Sequence, residues 1–158
     1  MSSDVMRFPV VQARDLLGNQ KHLPRDFEGR LVVAMIAFRQ FQQAEVDSWV
    51  PALGALAGSV PDLHFYELPV LARHWAPARP FIDGGMARSI GDPAVLARTL
   101  TVYGDIRRVC RPLNITDRSH ITVVLTDRSG QIHWADSGAH TEPTAASLRA
   151  AISSLSNG

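Results

Sequence analysis

The longest unbroken run of apolar residues is LVVAMIAF, at positions 31–38. It is short and rich in β-branched residues, and the turn-forming residues Glu28, Gly29 and Arg30 precede it. Strands that are apolar on both faces are typical of the centre of a parallel or mixed sheet that helices cover. The run therefore predicts a central strand over 31–38, with Ile36 fully buried in it.

The polar residues 39–43, RQFQQ, follow that strand at once and open a predicted helix that extends to Ala57. Apolar residues of this helix recur every three or four positions, at Val46, Trp49, Val50, Leu53, Leu56 and Ala57. Pro51 predicts a kink or break near Trp49, because proline removes a helical hydrogen bond. Ligand sites of open α/β sheets gather where a strand ends and a helix begins, so the segment 39–43 is the first candidate site.

Weaker patterns predict the remaining elements of a single domain that spans residues 1–158. Residues 1–22 are expected to form an N-terminal arm or an edge strand, since Pro9 is compatible with the edge of a sheet. Residues 71–98, which prolines and a Gly-Gly pair interrupt, are expected to form a helical insertion. The other predicted elements are a helical turn at 23–29, a strand at 63–70 ending at Pro69, a strand at 99–103, a short helix at 105–112, a hairpin at 121–135 and a helix from Thr141 onward.

Composition and charge exclude several classes of partner and functional site. The net charge of +1 gives no electrostatic reason to expect nucleic acid or an anionic membrane as a partner. No apolar run approaches the ~20 residues of a membrane-spanning helix, and the N-terminal residues lack the pattern of a signal peptide, so we expect a cytoplasmic protein. The single cysteine, Cys110, excludes a disulfide within the chain and a cysteine-rich metal site. No nucleophile elbow or phosphate-binding glycine loop is present, and no cofactor is expected.

Three segments in the predicted order carry a resemblance to a known family. They are the lead-in DLLG at 15–18 with Leu23-Pro24 and FEG at 27–29, the central strand 31–38, and the hairpin ITVVLTDRSGQIHW at 121–134. Together they resemble the thioredoxin-like superfamily, most closely its peroxiredoxin and thiol-disulfide reductase branch. The resemblance implies an α/β fold of three layers, in which helices cover both faces of a central mixed sheet of about five strands.

A narrower likeness rests on segments 66–70, 82–86 and 101–105 (YELPV, IDGGM and TVYGD). These segments resemble thioredoxin-like proteins that lack the cysteines, including the mitochondrial ATP synthase assembly factor family.

The sequence departs from the redox members of the superfamily at both halves of their active site. Those members place a Trp-Cys-x-x-Cys motif or a peroxidatic cysteine just after the central strand, and a cis-proline before the penultimate strand. Here residues 39–43 (RQFQQ) stand at the first position and residues 118–120 (RSH) at the second. Amide side chains cannot carry out thiol exchange. The resemblance therefore implies a redox-inactive domain that acts as a binding or assembly module rather than as an enzyme.

The helix start should nevertheless keep partial positive charge and free N–H groups. We predict that this edge binds an unknown protein or a small anionic ligand, with Arg39 and the N–H groups of Gln42 and Gln43 as donors. The candidate site residues are Arg39, Gln40, Gln42, Gln43, Ser119 and His120, and no catalytic residue or metal ligand is predicted. His120 stays open between a functional group at the former proline position and a polar residue that enters a strand.

Cys110 supports a competing hypothesis, a divergent thiol peroxidase or reductase. Arg108 and Arg111 flank this cysteine and could stabilise a thiolate. The simpler interpretation is a small side chain packed on a short helix. The oligomeric state and the identity of any partner do not follow from the sequence.

Overall fold

Seven strands form one mixed sheet in the computed structural model, which describes the backbone of residues 6–72, 98–104 and 106–156. The strands are β1 (Val11–Asp15), β2 (Gln20–Leu23), β3 (Leu31–Ala37), β4 (Leu63–Ala72), β5 (Leu100–Gly104), β6 (Thr122–Thr126) and β7 (Ile132–Ser137). Their order across the sheet is β2-β1-β5-β4-β3-β6-β7. β4 pairs in parallel with both β3 and β5, and the other neighbouring strands pair antiparallel.

Helices cover both faces of this sheet and give the molecule three layers. The described ranges contain α1 (Gln43–Ser59), α2 (Ile106–Cys110) and α3 (Glu142–Ser156), and a 3-10 turn (Gln40–Gln42) leads into α1. Buried residues of α1 and α3 share one core layer, whereas Val109 of α2 packs in the layer on the opposite face. None of these helices has the length and apolar character that crossing a membrane requires.

The central strand β3 feeds both core layers. Every second residue from Val32 to Ile36 packs in the layer that contains Val109. The residues between them, from Leu31 to Met35, pack beneath α1 and α3. The predicted strand and the complete burial of Ile36 are thus confirmed, since none of the Ile36 side chain is exposed.

The sheet has seven strands rather than about five because one of its ends carries two strands with weak sequence signals. The segment 1–22, predicted as an arm or edge strand, contributes β1, and β2 forms the edge beyond it. β2 has the polar sequence QKHL with a single buried residue, so it lacks the alternation that predicts a strand. Asp15 closes the turn between β1 and β2, because its Oδ1 accepts hydrogen bonds from the N–H groups of Leu17 (3.0 Å) and Asn19 (2.8 Å).

Pro51 does not break the helix that it interrupts. α1 continues from Gln43 to Ser59, and the exposed ring of Pro51 stands between the buried anchors Trp49 and Leu53. The apolar stripe of α1 remains on the sheet across the proline, so packing holds the helix in place where one backbone hydrogen bond is missing.

Pro69 likewise does not end β4, which continues to Ala72. The proline stands where β4 changes partners: its pairing with β3 ends at Pro69, and its pairing with β5 runs from Val70. The helical turn predicted at 23–29 is a hydrogen-bonded turn after β2 instead of a helix. Most of the helical insertion predicted at 71–98 falls on residues 73–97, outside the described ranges.

Candidate functional site

The two segments that the sequence singles out lie side by side at the carboxyl end of β3. β6 runs antiparallel to β3, and Thr122 at its start pairs with Ile36 near the end of β3. The residues that precede β6 therefore return to the place where the 3-10 turn leads into α1. We call residues 38–45 and 117–121 together the β3–α1 junction.

Gln42 joins the two segments of the β3–α1 junction. Only 1% of this residue is exposed. Its Oε1 accepts hydrogen bonds from the N–H groups of Phe38 (2.8 Å) and Arg39 (3.3 Å), and its Nε2 donates to the carbonyl oxygen of Arg118 (2.7 Å). The backbone N–H of Gln42 donates to the carbonyl of Arg39 at 3.0 Å. This N–H group is therefore engaged within the protein and is not a free donor for a ligand.

Glu45 forms a second link between the same segments. Its Oε2 lies 2.7 Å from Nδ1 of His120, and its Oε1 accepts a hydrogen bond from the N–H of Ile121 at 3.0 Å. The hydrogen bond and the charge of Glu45 raise the pKa of the His120 imidazole. Sequence reasoning missed Glu45, because an acidic residue in the first turn of a helix is ordinary. The available signal was its position three residues after Gln42, on the same side of the helix.

Of the other predicted site residues, Arg39 and Ser119 are not held in this way. Arg39 is exposed, and its guanidinium has no hydrogen bond or ion pair within the described residues. Gln40 begins the 3-10 turn. Ser119 bonds to Asp117 through its N–H (2.9 Å) and its hydroxyl (2.6 Å), and the structure gives it no hydrogen bond to Arg39, Gln42 or Gln43. The junction therefore has a bonded interior around Gln42 and Glu45 and an exposed rim around Arg39.

Gln43 connects the junction to a groove between α1 and β4. Its Nε2 donates to Asp47 (3.0 Å) and to Glu67 (3.1 Å). Burial raises the pKa of Glu67, and the nearby charge of Asp47 adds to that effect, while the hydrogen bond from Gln43 opposes it. The groove has a volume of about 350 Å³ and is lined by Asp47, Val50, Pro51, Phe65, Glu67 and Arg98.

Cys110 stands at the end of α2, whose core layer lies on the face of the sheet opposite α1. It is a free thiol with 7% of its surface exposed. Burial raises the pKa of this thiol, although the guanidinium of Arg118 acts in the other direction. The arginine that influences the thiol is thus Arg118 and not the flanking Arg108 or Arg111. A buried thiol with a raised pKa carries little thiolate at neutral pH, which makes it a poor nucleophile.

Comparison with solved structures places this architecture among thioredoxin-like proteins. Similar structures include the exposed lipoprotein thioredoxin Etrx1 of Streptococcus pneumoniae (14% identity, 91% of this chain and 98% of that chain, TM-score 0.57). BsSco, a member of the Sco family of cytochrome c oxidase assembly proteins, matches with 9% identity over 94% of this chain and 95% of that chain (TM-score 0.61). A DsbF homologue from Corynebacterium diphtheriae matches with 11% identity over 98% of this chain and 89% of that chain (TM-score 0.58). Neither a protein-family model nor a curated protein sequence matches this chain.

The fold is therefore thioredoxin-like, and the likeness at these identities extends to the fold alone. The narrower likeness to the mitochondrial ATP synthase assembly factor family is not shown by these comparisons. Gln42 and Glu45 are the buried and half-buried side chains that hold the β3–α1 junction together in this chain.

Proposed function

We propose that this protein is a redox-inactive thioredoxin-like domain that acts as a binding or assembly module. The observation that carries the proposal is Gln42, an amide that ties the start of α1 to the loop before β6. The family resemblance implies catalytic thiols at this position in redox members, and an amide there supports the redox-inactive interpretation. The single cysteine supports the same conclusion, because burial raises its pKa and it stands at the end of α2 rather than at the start of α1. BsSco, a protein of this fold, belongs to a family of assembly proteins, which is consistent with an assembly role.

The proposed binding surface is the exposed rim of the β3–α1 junction. Arg39 supplies a guanidinium that has no partner among the described residues, and such a group takes a carboxylate or phosphate through two parallel hydrogen bonds. The partner would be a protein segment or small molecule that presents an anionic group. Gln42 would support this surface by holding the backbone of Arg39 in place, and its own N–H would take no part in binding.

Insulin reduction tests the redox half of the proposal. We expect no turnover comparable to that of an active thioredoxin assayed in parallel, because amides replace both cysteines of the motif. The Cys110→Ala variant is the matched control, and a peroxide-consumption assay extends the test to peroxidase chemistry. Turnover in the unmodified protein that disappears in Cys110→Ala would establish the competing thiol enzyme and end the proposal.

NMR titration with acetate and with inorganic phosphate tests the binding half. We expect amide shifts centred on residues 39–43 and 119–120, and their loss in Arg39→Ala. Arg30→Ala is the matched control, since Arg30 is an exposed arginine at the opposite end of β3 and its removal should leave the shifts unchanged. Shifts scattered over the surface, or none at millimolar ligand, would show that this rim is not the binding surface.

A further inference from the structure

A second polar site lies on the half of the sheet formed by β2, β1 and β5. Side chains alternate along strands, and the pairing of Arg14 with both Gln20 and Thr101 places these three residues on one face. Gln12 and Tyr103 share that face because each is two residues away from a member of this row. A groove of about 260 Å³ runs between these five side chains, with Ala13 as its remaining lining residue.

Thr101 brings an unpaired hydroxyl into this groove. The residue is 2% exposed, and its Oγ1 has no hydrogen-bond partner within the part of the chain that the structure describes. Buried side-chain hydroxyls in folded proteins are nearly always bonded, because an unpaired one has lost its hydration without compensation. Thr101 is thus a donor and acceptor that the fold buries and leaves free.

Arg14 stands next to Thr101 on the neighbouring strand. The two residues are direct cross-strand partners. Arg14 is half-buried, and the described residues provide its guanidinium with neither an ion pair nor a hydrogen bond. The lining residues that belong to the described ranges include no carboxylate. Beside this pair, the amides of Gln12 and Gln20 bond to each other at 2.8 Å and form a polar wall.

We infer that this groove binds a small oxyanion, a carboxylate or a phosphate. Arg14 would donate the two parallel hydrogen bonds that a guanidinium offers to such a group, and the hydroxyl of Thr101 would donate a third. The volume of about 260 Å³ lies just below the range for drug-sized ligand sites, so it fits a small acid or inorganic phosphate better than a nucleotide. This site is separate from the β3–α1 junction and stands or falls independently of the function proposed for it.

The test is an NMR titration of the whole chain with acetate, succinate and inorganic phosphate in separate arms. Amide shifts should centre on residues 12–14, 20 and 101–103. Arg14→Gln should weaken binding by about ten- to a hundredfold, the effect of losing hydrogen bonds to a charged group. Thr101→Val should weaken it by about two- to tenfold, because it removes one neutral donor and keeps the shape of the side chain. Arg39→Ala is the control and should leave these shifts unchanged.

The arms that produce the shifts identify the ligand as a carboxylate or as phosphate. If Arg14→Gln does not fold, Arg14→Lys takes its place, and it should also bind more weakly because an ammonium lacks the guanidinium fork. The inference is overturned if no ligand shifts residues 12–14 and 101–103 at millimolar concentration. It is equally overturned if the shifts persist in Arg14→Gln and vanish in Arg39→Ala, which would assign the binding to the junction.

Discussion

The β3–α1 junction and the groove beside β1 both contain polar side chains, but these side chains are hydrogen-bonded at the junction and unpaired at the centre of the groove. At the junction, the amide of Gln42 and the carboxylate of Glu45 are fully engaged by backbone and side-chain partners. In the groove, Arg14 and Thr101 stand side by side without a partner within the described residues. The polar groups at the end of β3 are thus bonded within the protein, whereas those of the groove are open.

The comparison shows that the position of a candidate site in a fold does not decide whether its polar side chains can bind a ligand. Two discontinuous segments meet at the junction because of the antiparallel pairing of β3 and β6, whatever side chains they carry. The side chains then decide whether the meeting point binds something or stabilises the fold. The side chain of Gln42 stabilises the fold, so only the exposed rim around Arg39 can contact a ligand.

The largest expected effect comes from the strand that supports both regions. Ile36→Ala should lower the free energy of unfolding by about 2–5 kcal/mol, because it removes buried methylene groups and leaves a cavity between well-packed neighbours. Chemical denaturation measures this loss. Val10→Ala is the control, since Val10 is 81% exposed and its truncation should change stability by no more than about 0.5 kcal/mol. A loss below about 1 kcal/mol in Ile36→Ala would contradict the central position of β3.

Gln42→Ala is the most direct way to break the junction. It should lower the free energy of unfolding by about 1–3 kcal/mol, because the N–H of Phe38 and the carbonyl of Arg118 both lose a partly buried hydrogen-bond partner. The neighbouring variant Gln43→Ala, which removes an exposed side chain, should cost less than about 1 kcal/mol. Equal losses in the two variants would mean that the amide of Gln42 does not hold the junction together.

Thr101→Val tests whether the buried hydroxyl in the groove is unpaired. Without added ligand, the variant should be more stable than the unmodified protein by about 1 kcal/mol, because the unpaired hydroxyl is replaced by a methyl group of the same size. Thermal denaturation in a buffer free of phosphate and carboxylates measures the gain. A stability loss of similar size would show that the hydroxyl has a partner and that the groove is not open at this position.

The smallest effect concerns the Glu45–His120 pair at the surface of the junction. The folded pKa of His120 is raised above 6.5, so the pair stabilises the fold fully below that pH and loses its contribution as the pH rises through the folded pKa. The stability difference between the unmodified protein and His120→Gln should therefore shrink from pH 5.5 to pH 9. NMR titration of the imidazole should show a pKa that falls back in Glu45→Gln, and an unchanged value would remove the pair from this account.

Strong local patterns were enough to predict the centre of the molecule. The uninterrupted run of β3, the apolar stripe of α1 and the hairpin formed by β6 and β7 are signals that burial on one or two faces produces. β2 and the last residues of β4 were missed, because a polar edge strand and a strand that crosses a proline owe their conformation to their neighbours.

The candidate site was predictable only in part for the same physical reason. The adjacency of segments 39–43 and 118–120 followed from the family resemblance. The engagement of Gln42 and the isolation of Thr101 did not, because a hydrogen bond between distant segments depends on the register of strands that the sequence does not specify. Arg14 and Thr101 are 87 positions apart by their residue numbers, and the pairing of β1 with β5 alone makes them neighbours.

The three hydrogen bonds of the Gln42 side chain also bear on how this domain could change in evolution or by design. A Gln42→Cys substitution would add a thiol, but the N–H groups of Phe38 and Arg39 and the carbonyl of Arg118 would lose their hydrogen-bond partner. The new sulfur would sit in a closed interior where desolvation opposes the thiolate. A reactive thiol at this position would therefore require further substitutions, including one that replaces the hydrogen bond from Gln42 to the loop before β6. The hydrogen bonds of Gln42 thus stabilise the fold and also make the gain of a thiol at this position costly.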